Sequence, residues 1–326
     1  MNKFIIFILM SIAFTMNYIE NIYAQYLNKE IIMRPVFNPS ASLVDINNIT
    51  SWVWADGFHD GFFISSSLNG MFPKGSNIGA IFSEGIIWGG NISDGQSPLV
   101  RVSGNTYVTG CSSVFNQHRV FRVRPDYQTG NLADDAANFY NKTLEQVFQA
   151  DIDALRDQYK TDWNEWPADK GAPYKDVDND GKYKPGTDIP GIPGAAQTLF
   201  IQYTDALSAE IYGSQPIGLN VSETYWAYEY TGALGNVIYK KVDIIYEGTA
   251  NSNANSIIDS MYIVQWADPD IGTSSEIQFI RLPVMLHLQL VMNSCRVSPG
   301  IPVIRMIVQL LTCNGEKVIS MLIRNR

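Results

Sequence analysis

Side chains that alternate between apolar and polar recur along this chain, and no other feature limits its fold so tightly. In "NVSETYWAYEY" (220–230), Thr224, Trp226, Tyr228 and Tyr230 fall on one side and Val221, Glu223, Tyr225 and Glu229 on the other. In "VIYKKVDIIYEG" (237–248), Ile238, Val242, Ile244 and Tyr246 share a side, and "DSMYIVQWADPD" (259–270) alternates likewise. A period of two is the signature of strands with one buried face. With "QTLFIQYTD" (197–205) these segments predict an antiparallel β meander over residues 197–275. Upstream, "SWVWADGFHDGFF", "IGAIFSEGIIWGG", "NTYVTG" and "HRVFRVRPDY" are short β-branched and aromatic runs cut by Gly, Asn and Pro. They predict a β-rich region over residues 25–130, as a sandwich or an extended antiparallel sheet. Aromatic residues at 12% of the chain, with 17 Tyr and 7 Trp, supply the large half-buried rings such sheets use.

Between these regions, 131–196 reads differently. Leu144, Val147, Phe148, Ile152, Leu155 and Tyr159 recur at spacings of three and four, and Thr143 with Gln146 forms a capping-box pattern. One or two helices are expected within about 131–160. Residues 161–196, rich in Pro and Gly, are expected to be a long loop, and a loop of that length needs something to organise it. The fold class is therefore mainly β, in antiparallel sheets or sandwich-like modules, with a short helical insertion and a long calcium-type loop.

"KDVDNDGKYKPGTD" (175–188) carries that loop's chemistry. Asp176, Asp178 and Asp180 occupy positions one, three and five of a calcium loop, and Gly181 stands at position six, where the chain must turn sharply. The carbonyl of Lys182 falls at position seven. Thr187 takes the place of the usual acidic residue at position twelve, so Asp188, one residue later, is the substitute ligand. Tyr183 is placed to anchor the loop. Pro173 and Pro185 exclude a helix-loop-helix, so the expected site is an isolated calcium turn of the extracellular kind. The competing reading is a solvated Asp/Gly turn.

The compartment is read from "MNKFIIFILMSIAFTMNYIENIYAQ": a basic Lys3, an apolar run from Phe4 to about Met16, and a small Ala24 after a polar spacer. This predicts a signal peptide over 1–24, cleaved before Gln25, and an extracellular or cell-surface protein. An uncleaved anchor is the other reading, but the run is shorter than the ~20 residues a span needs. No later segment reads as a membrane span. Cys111, Cys295 and Cys313 are too few and scattered for a disulfide framework, although parity would allow a Cys295–Cys313 bridge. A net charge of −9 argues against nucleic acid and against anionic lipid as partners. Surface polymers or other cell-envelope proteins are the partners this leaves.

From Ile280 to Arg326 there is no Phe, Tyr, Trp or Asp, and residues 277–326 hold six Lys/Arg against one Glu. The break sets off 276–326 as an atypical tail, read as the frame-shifted or truncated end of a longer reading frame. A basic apolar segment packed on the sheet is the alternative. Upstream of the break, "FPKGSNIGAIFSEGIIWGG", "RVFRVRPDY", "DWNEWPADKGAPY", "DIPGIPGAAQTLFIQYTD", "YGSQPIGLNVSETYWAY", "TGALGNVIYKKVDIIY" and "SMYIVQWADPDIG" resemble a set of exported bacterial proteins of unknown activity. Members of that set commonly end in a type IX secretion sorting domain. The resemblance covers about residues 45–272 and implies export by that route. It carries no reaction with it.

No Gly-x-Ser-x-Gly elbow, His-Glu-x-x-His motif or phosphate-binding glycine loop is present. His59 beside Asp60 reads as a loop pair and Cys111 as a buried small residue. The expected function is a secreted or cell-surface structural or adhesive protein, without catalytic activity in this portion. The alternative is a carbohydrate-active protein. A glycosidase would draw its two carboxylates from Glu223 and Glu229 near Trp226, or from Asp268 and Asp270 beside Trp266. Aromatic platforms without such a dyad would give a carbohydrate-binding module.

Overall fold

The computed structural model describes residues 40–60, 70–76 and 79–269, and the backbone alone of three later strands. The predicted signal peptide, Asp270 and Cys295 lie outside the described residues. In chain order, the first strands are β1 (Ala41–Val44), β2 (Ser51–Trp54), β3 (His59–Asp60), β4 (Gly70–Met71), β5 (Gly79–Ser93), β6 (Val100–Gly104), β7 (Ser112–Ser113) and β8 (Phe121–Val123). Helices α1 (Ala133–Phe139) and α2 (Gln149–Asn164) follow, then the short strands β9 (Tyr174–Lys175) and β10 (Ile189–Pro190). Next come β11 (Gln197–Thr204), helix α3 (Ser208–Tyr212), β12 (Leu219–Ala227), β13 (Val237–Tyr246) and β14 (Ile257–Pro269). Last are β15 (Leu288–Val291), β16 (Ile301–Cys313) and β17 (Glu316–Arg324).

The strands form two antiparallel sheets and one small ribbon. One sheet runs β1-β2-β3-β5-β14-β15, with β4 and β6 also on β5; the other runs β17-β16-β13-β12-β11-β7, with β8 on β11. Their inner faces share one apolar core, in which Val44, Val53, Ile86, Trp88, Ile258 and Ile263 meet Leu199, Ile201, Val221, Val242, Ile244 and Tyr246. Each such side chain, fully buried, contributes about 1.5–3 kcal/mol. The fold is thus mainly β, with α1 and α2 in an insertion and the short α3 between β11 and β12, as alternation and composition predict for its class.

Two features depart from the sequence reading. The predicted meander holds for β11, β12 and β13, but β14 crosses to the other sheet and pairs with β5. The reason lies in the polar loop before it. Asn253 donates its N–H to the Asp94 carbonyl at 3.0 Å, and Gln96 Nε2 donates to the Asn251 carbonyl at 2.9 Å. The loop is thereby tied to the turn at the end of β5, so β14 enters beside that strand. Helix α2 also runs to Asn164, four residues past the predicted helical limit. At its start, Asp151 accepts the Phe148 N–H at 2.9 Å, whereas Leu144 and Phe148 are exposed. The Thr143–Gln146 pair caps a single 3-10 turn ahead of it.

The tail enters only as backbone. β16 pairs with β13 from Val237 to Tyr246, β17 pairs with β16, and β15 pairs with β14. The compositional reading of 276–326 concerns side chains outside the described residues.

The insertion is fastened to the sandwich by buried charge. Arg122 on β8 sets Nη2 at 2.6 Å from both Asp45 Oδ1 and Asp135 Oδ1. Tyr159 on α2 donates to Asp135 at 2.6 Å, and Gln197 on β11 donates to Asp45 at 3.0 Å. These side chains are all buried. A second apolar cluster, with Phe121, Val123, Trp166, Ala172 and Phe200, covers the outer face of β11, so that strand is buried on both sides.

Candidate functional site

The predicted calcium loop is built on a rigid base. β9 and β10 pair as Lys175 with Ile189 and Tyr174 with Pro190, which brings the ends of segment 176–188 together. Gly191 N–H then donates to the Pro173 carbonyl at 2.8 Å. Beneath the loop, Trp166 Nε1 donates to the same carbonyl at 2.8 Å, and the Tyr183 hydroxyl donates to the Trp163 carbonyl at 2.5 Å. Tyr183 packs edge-on against Tyr174, with ring centres 5.5 Å apart, and so holds the anchoring place that the sequence assigned it. Burial, helped by Asp188, pushes its phenol pKa well up.

Within the loop the aspartates organise the backbone. Asn179 and Gly181 turn the chain with φ of 59° and 76°, the left-handed region that these residue types tolerate best. Asp176 Oδ2 accepts the Gly181 N–H at 2.8 Å, and Asp180 Oδ1 accepts the Lys182 N–H at 2.9 Å. Asp188 is only 1% exposed and accepts two N–H groups, from Val177 at 2.9 Å and from Lys184 at 2.7 Å.

Of the predicted ligands, the structure brings three together. Asp176, Asp178 and Asp188 each offer a carboxylate oxygen, and these oxygens lie within 4.8 Å of one another. Asp176 Oδ1 is excluded from solvent and has no hydrogen-bond partner. Asp180 stands outside the trio, with its carboxylate on the ammonium of Lys184. That ammonium also lies 2.8 Å from Asp178 Oδ2. The two carboxylates raise the Lys184 pKa, and Lys184 in turn holds Asp178 below its usual range. Lys182 is exposed and contributes the N–H already described. Opposite ligands on a calcium ion stand about 4.8 Å apart, given bond lengths of 2.3–2.6 Å, so the three oxygens fit around one such ion.

A second polar cluster, which the sequence reading missed, sits between the sheets. His59 is not a loop residue: it lies on β3, fully buried, because its strand pairs with β5 and its ring points into the sandwich. Nδ1 is 3.3 Å from Glu84 Oε1, and Nε2 is 2.9 Å from Glu223 Oε2. The Tyr225 hydroxyl contacts both His59 Nε2 and Glu223, and the Tyr203 hydroxyl donates to Glu223 Oε1 at 2.7 Å. From β13, Lys240 brings Nζ to 3.3 Å from Glu223 Oε2 and 3.4 Å from Gln265 Oε1.

Each group answers to this setting. Burial and the Lys240 ammonium press the His59 pKa down, but Glu223 and Glu84 outweigh them, and it ends above its usual value. Glu223, although buried, is lowered to about 2 by Lys240 and His59. Asp60, beside His59, is raised to about 8 by burial and by Glu84, while its oxygens accept the Trp52 N–H at 2.7 Å and the Ser51 hydroxyl at 3.2 Å. A Cβ on Gly70 would stand 2.9 Å from Asp60 Oδ2, so a larger residue there would displace that carboxylate. The cluster is enclosed, with Glu84 at 6% the most exposed of its charged members, so it can pin the sheets but offers no surface to a substrate.

Of the carboxylates considered for glycoside hydrolysis, Glu223 and Glu229 do not assemble. Glu223 is buried in the cluster just described, whereas Glu229 lies past the end of β12 and is exposed. Asp268 accepts the Tyr107 hydroxyl at 2.9 Å, and Asp270 is outside the described residues. What does assemble is a group of rings on the outer face of β12 and β13. Trp226 stacks on Tyr239 at 5.3 Å and 11°, Tyr228 stacks on Tyr230 at 5.5 Å, and Tyr228 meets Tyr239 edge-on at 5.7 Å. Cys111 is buried, and burial pushes its thiol pKa far up, which makes it inert as a nucleophile.

The geometry therefore defines an antiparallel β-sandwich with an aspartate loop seated on an aromatic base. Comparison with known proteins adds no relative to this description: no family model, curated protein or solved structure matches the chain.

Proposed function

We propose that this chain is an exported structural or adhesive protein of the cell surface or extracellular space, whose loop 176–188 is stabilised by one calcium ion. The observation that carries the calcium assignment is the solvent-excluded, unpartnered Oδ1 of Asp176, one of three converging carboxylates. An orphaned buried carboxylate oxygen costs stability until a cation or donor reaches it. Calcium takes oxygen ligands in flexible geometry, and carboxylates of this kind suit it better than magnesium, which demands a tighter octahedron. Export rests on the tripartite amino-terminal segment, and surface polymers or envelope proteins are the partners that an acidic chain outside the cytoplasm would meet. The test is calorimetric titration of the folded chain with calcium chloride, together with melting in 1 mM calcium against chelator. One-to-one uptake and a raised melting temperature are expected. No uptake at millimolar calcium would leave a polar turn.

A second reading is carbohydrate binding, favoured by the ring group of Trp226, Tyr228, Tyr230 and Tyr239 on an outer sheet face. Flat rings of this kind offer apolar surface to pyranose rings. Affinity gels containing soluble glucans and xylans test it: retardation lost on Tyr230→Ala supports this reading, and unaltered mobility in every gel removes it.

A further inference from the structure

Lys184 points to how the loop's carboxylate charge is balanced when calcium is scarce. Its ammonium rests on two of the loop's carboxylates, those of Asp178 and Asp180. Asp178 also belongs to the converging trio with Asp176 and Asp188. One carboxylate is thus claimed by two cation positions. We propose that Lys184 is a resident counter-ion that calcium must displace from Asp178, so the loop exchanges an internal cation for an external one. This rests on the calcium reading above and adds a competitor to it.

Three observations support the exchange. An ammonium carries a single charge, and here it is divided between Asp178 and Asp180. Asp176 Oδ1 is the oxygen it leaves unserved, buried and without a partner. A divalent ion at the trio answers that demand and outcompetes a single charge for Asp178. Departure of the side chain also leaves the turn intact. The Lys184 N–H is held by Asp188 at 2.7 Å, and its carbonyl accepts the Thr187 and Asp188 N–H groups at 3.1 and 2.9 Å. The backbone is fixed while the ammonium, on a half-exposed side chain, is free to swing into water. The loop would then be preformed at low calcium and would bind with an affinity lowered by the competition.

The experiment compares the full chain with Lys184→Gln by calorimetric titration with calcium chloride at low ionic strength, with lysine-ammonium NMR on the parent protein. Removing a competitor of surface ion-pair strength should tighten calcium binding about three- to tenfold. In the parent protein, calcium should abolish the restrained Lys184 ammonium signal. Equal or weaker calcium affinity in Lys184→Gln, with the parent protein still binding, would overturn the exchange and leave the calcium site standing. Absence of binding in both proteins would overturn the calcium reading, and the exchange with it.

Discussion

The Lys240 ammonium lies 3.3 Å from Glu223 Oε2, and both side chains are buried. Two charges buried together are tolerated because each neutralises the other; one alone would not be. Lys240→Met should therefore lower stability, by up to about 3–5 kcal/mol, the usual cost of stranding a buried charge, with His59 left to offset part of it at 2.9 Å from Glu223. Adding Glu223→Gln should recover part of that loss. Urea unfolding of the parent and the two variants tests this, and a loss under about 1 kcal/mol would mean that His59 neutralises Glu223 without Lys240.

The same region sets a pH dependence. Asp60, raised to about 8, stabilises the fold fully below its unfolded pKa and loses that contribution as pH rises towards 8. His59, also raised, acts in the same direction, as do Asp45 and Asp162, each raised to about 6. Glu223, lowered to about 2, opposes them: its contribution is present above its unfolded pKa and is lost as pH falls towards 2. Stability should peak near about pH 5 and decline to pH 8. Asp60→Asn should flatten the part of the decline between about pH 6 and 8. Denaturant midpoints across this range check it, and an unchanged slope in Asp60→Asn would assign the decline to another group.

Asp188 has a structural duty besides any ion. Its two oxygens hold the N–H groups of Val177 and Lys184, one from each limb of the loop. Asp188→Ala should cost about 1–3 kcal/mol even in chelator, because two part-buried N–H groups lose their partner. Asp178→Asn should abolish calcium uptake and cost less than Asp188→Ala in chelator, since Asp178 is exposed and loses only its pairing with Lys184. Melting curves with and without calcium separate the two. Identical losses for both variants in chelator would contradict the division.

β13 is flanked by β12 on one edge and by the backbone of β16 on the other. A chain ending at Gly272 would leave the second edge of Val237–Tyr246 unpaired. Open edges invite pairing with another molecule, so the shortened chain should retain its β signal but self-associate. Size-exclusion chromatography decides it: a monomer that melts like the full chain would mean that β16 contributes nothing to the sheet.

Alternation made the strands legible, including Val221, Glu223 and Tyr225 on one face of β12 and Ile238, Val242, Ile244 and Tyr246 on one face of β13. It did not reveal that Glu223 and Lys240 point inwards as partners. Each interrupts an apolar series on its own strand, and only strand order brings the two interruptions together. His59 was misread because β3 is two residues long, too short for any period to show. The crossover of β14 was hidden for a related reason, since alternation fixes a face and not a neighbour. The aspartate loop was legible because its chemistry lies in one short segment. Lys184 was not singled out there, because nothing in the spacing distinguishes a lysine that folds back from one in water.

The Arg122 joint has a consequence for how this protein could be divided. Asp45 comes from the turn after β1, Arg122 from β8, Asp135 from α1, Tyr159 from α2 and Gln197 from β11. A cut anywhere between residues 45 and 197 that lets the pieces part would strand the guanidinium or its carboxylates without partners. The amino-terminal strands, the helical insertion and the later strands are therefore not separable modules, whatever their differences in composition. They are obliged to fold, and to be inherited, as one piece.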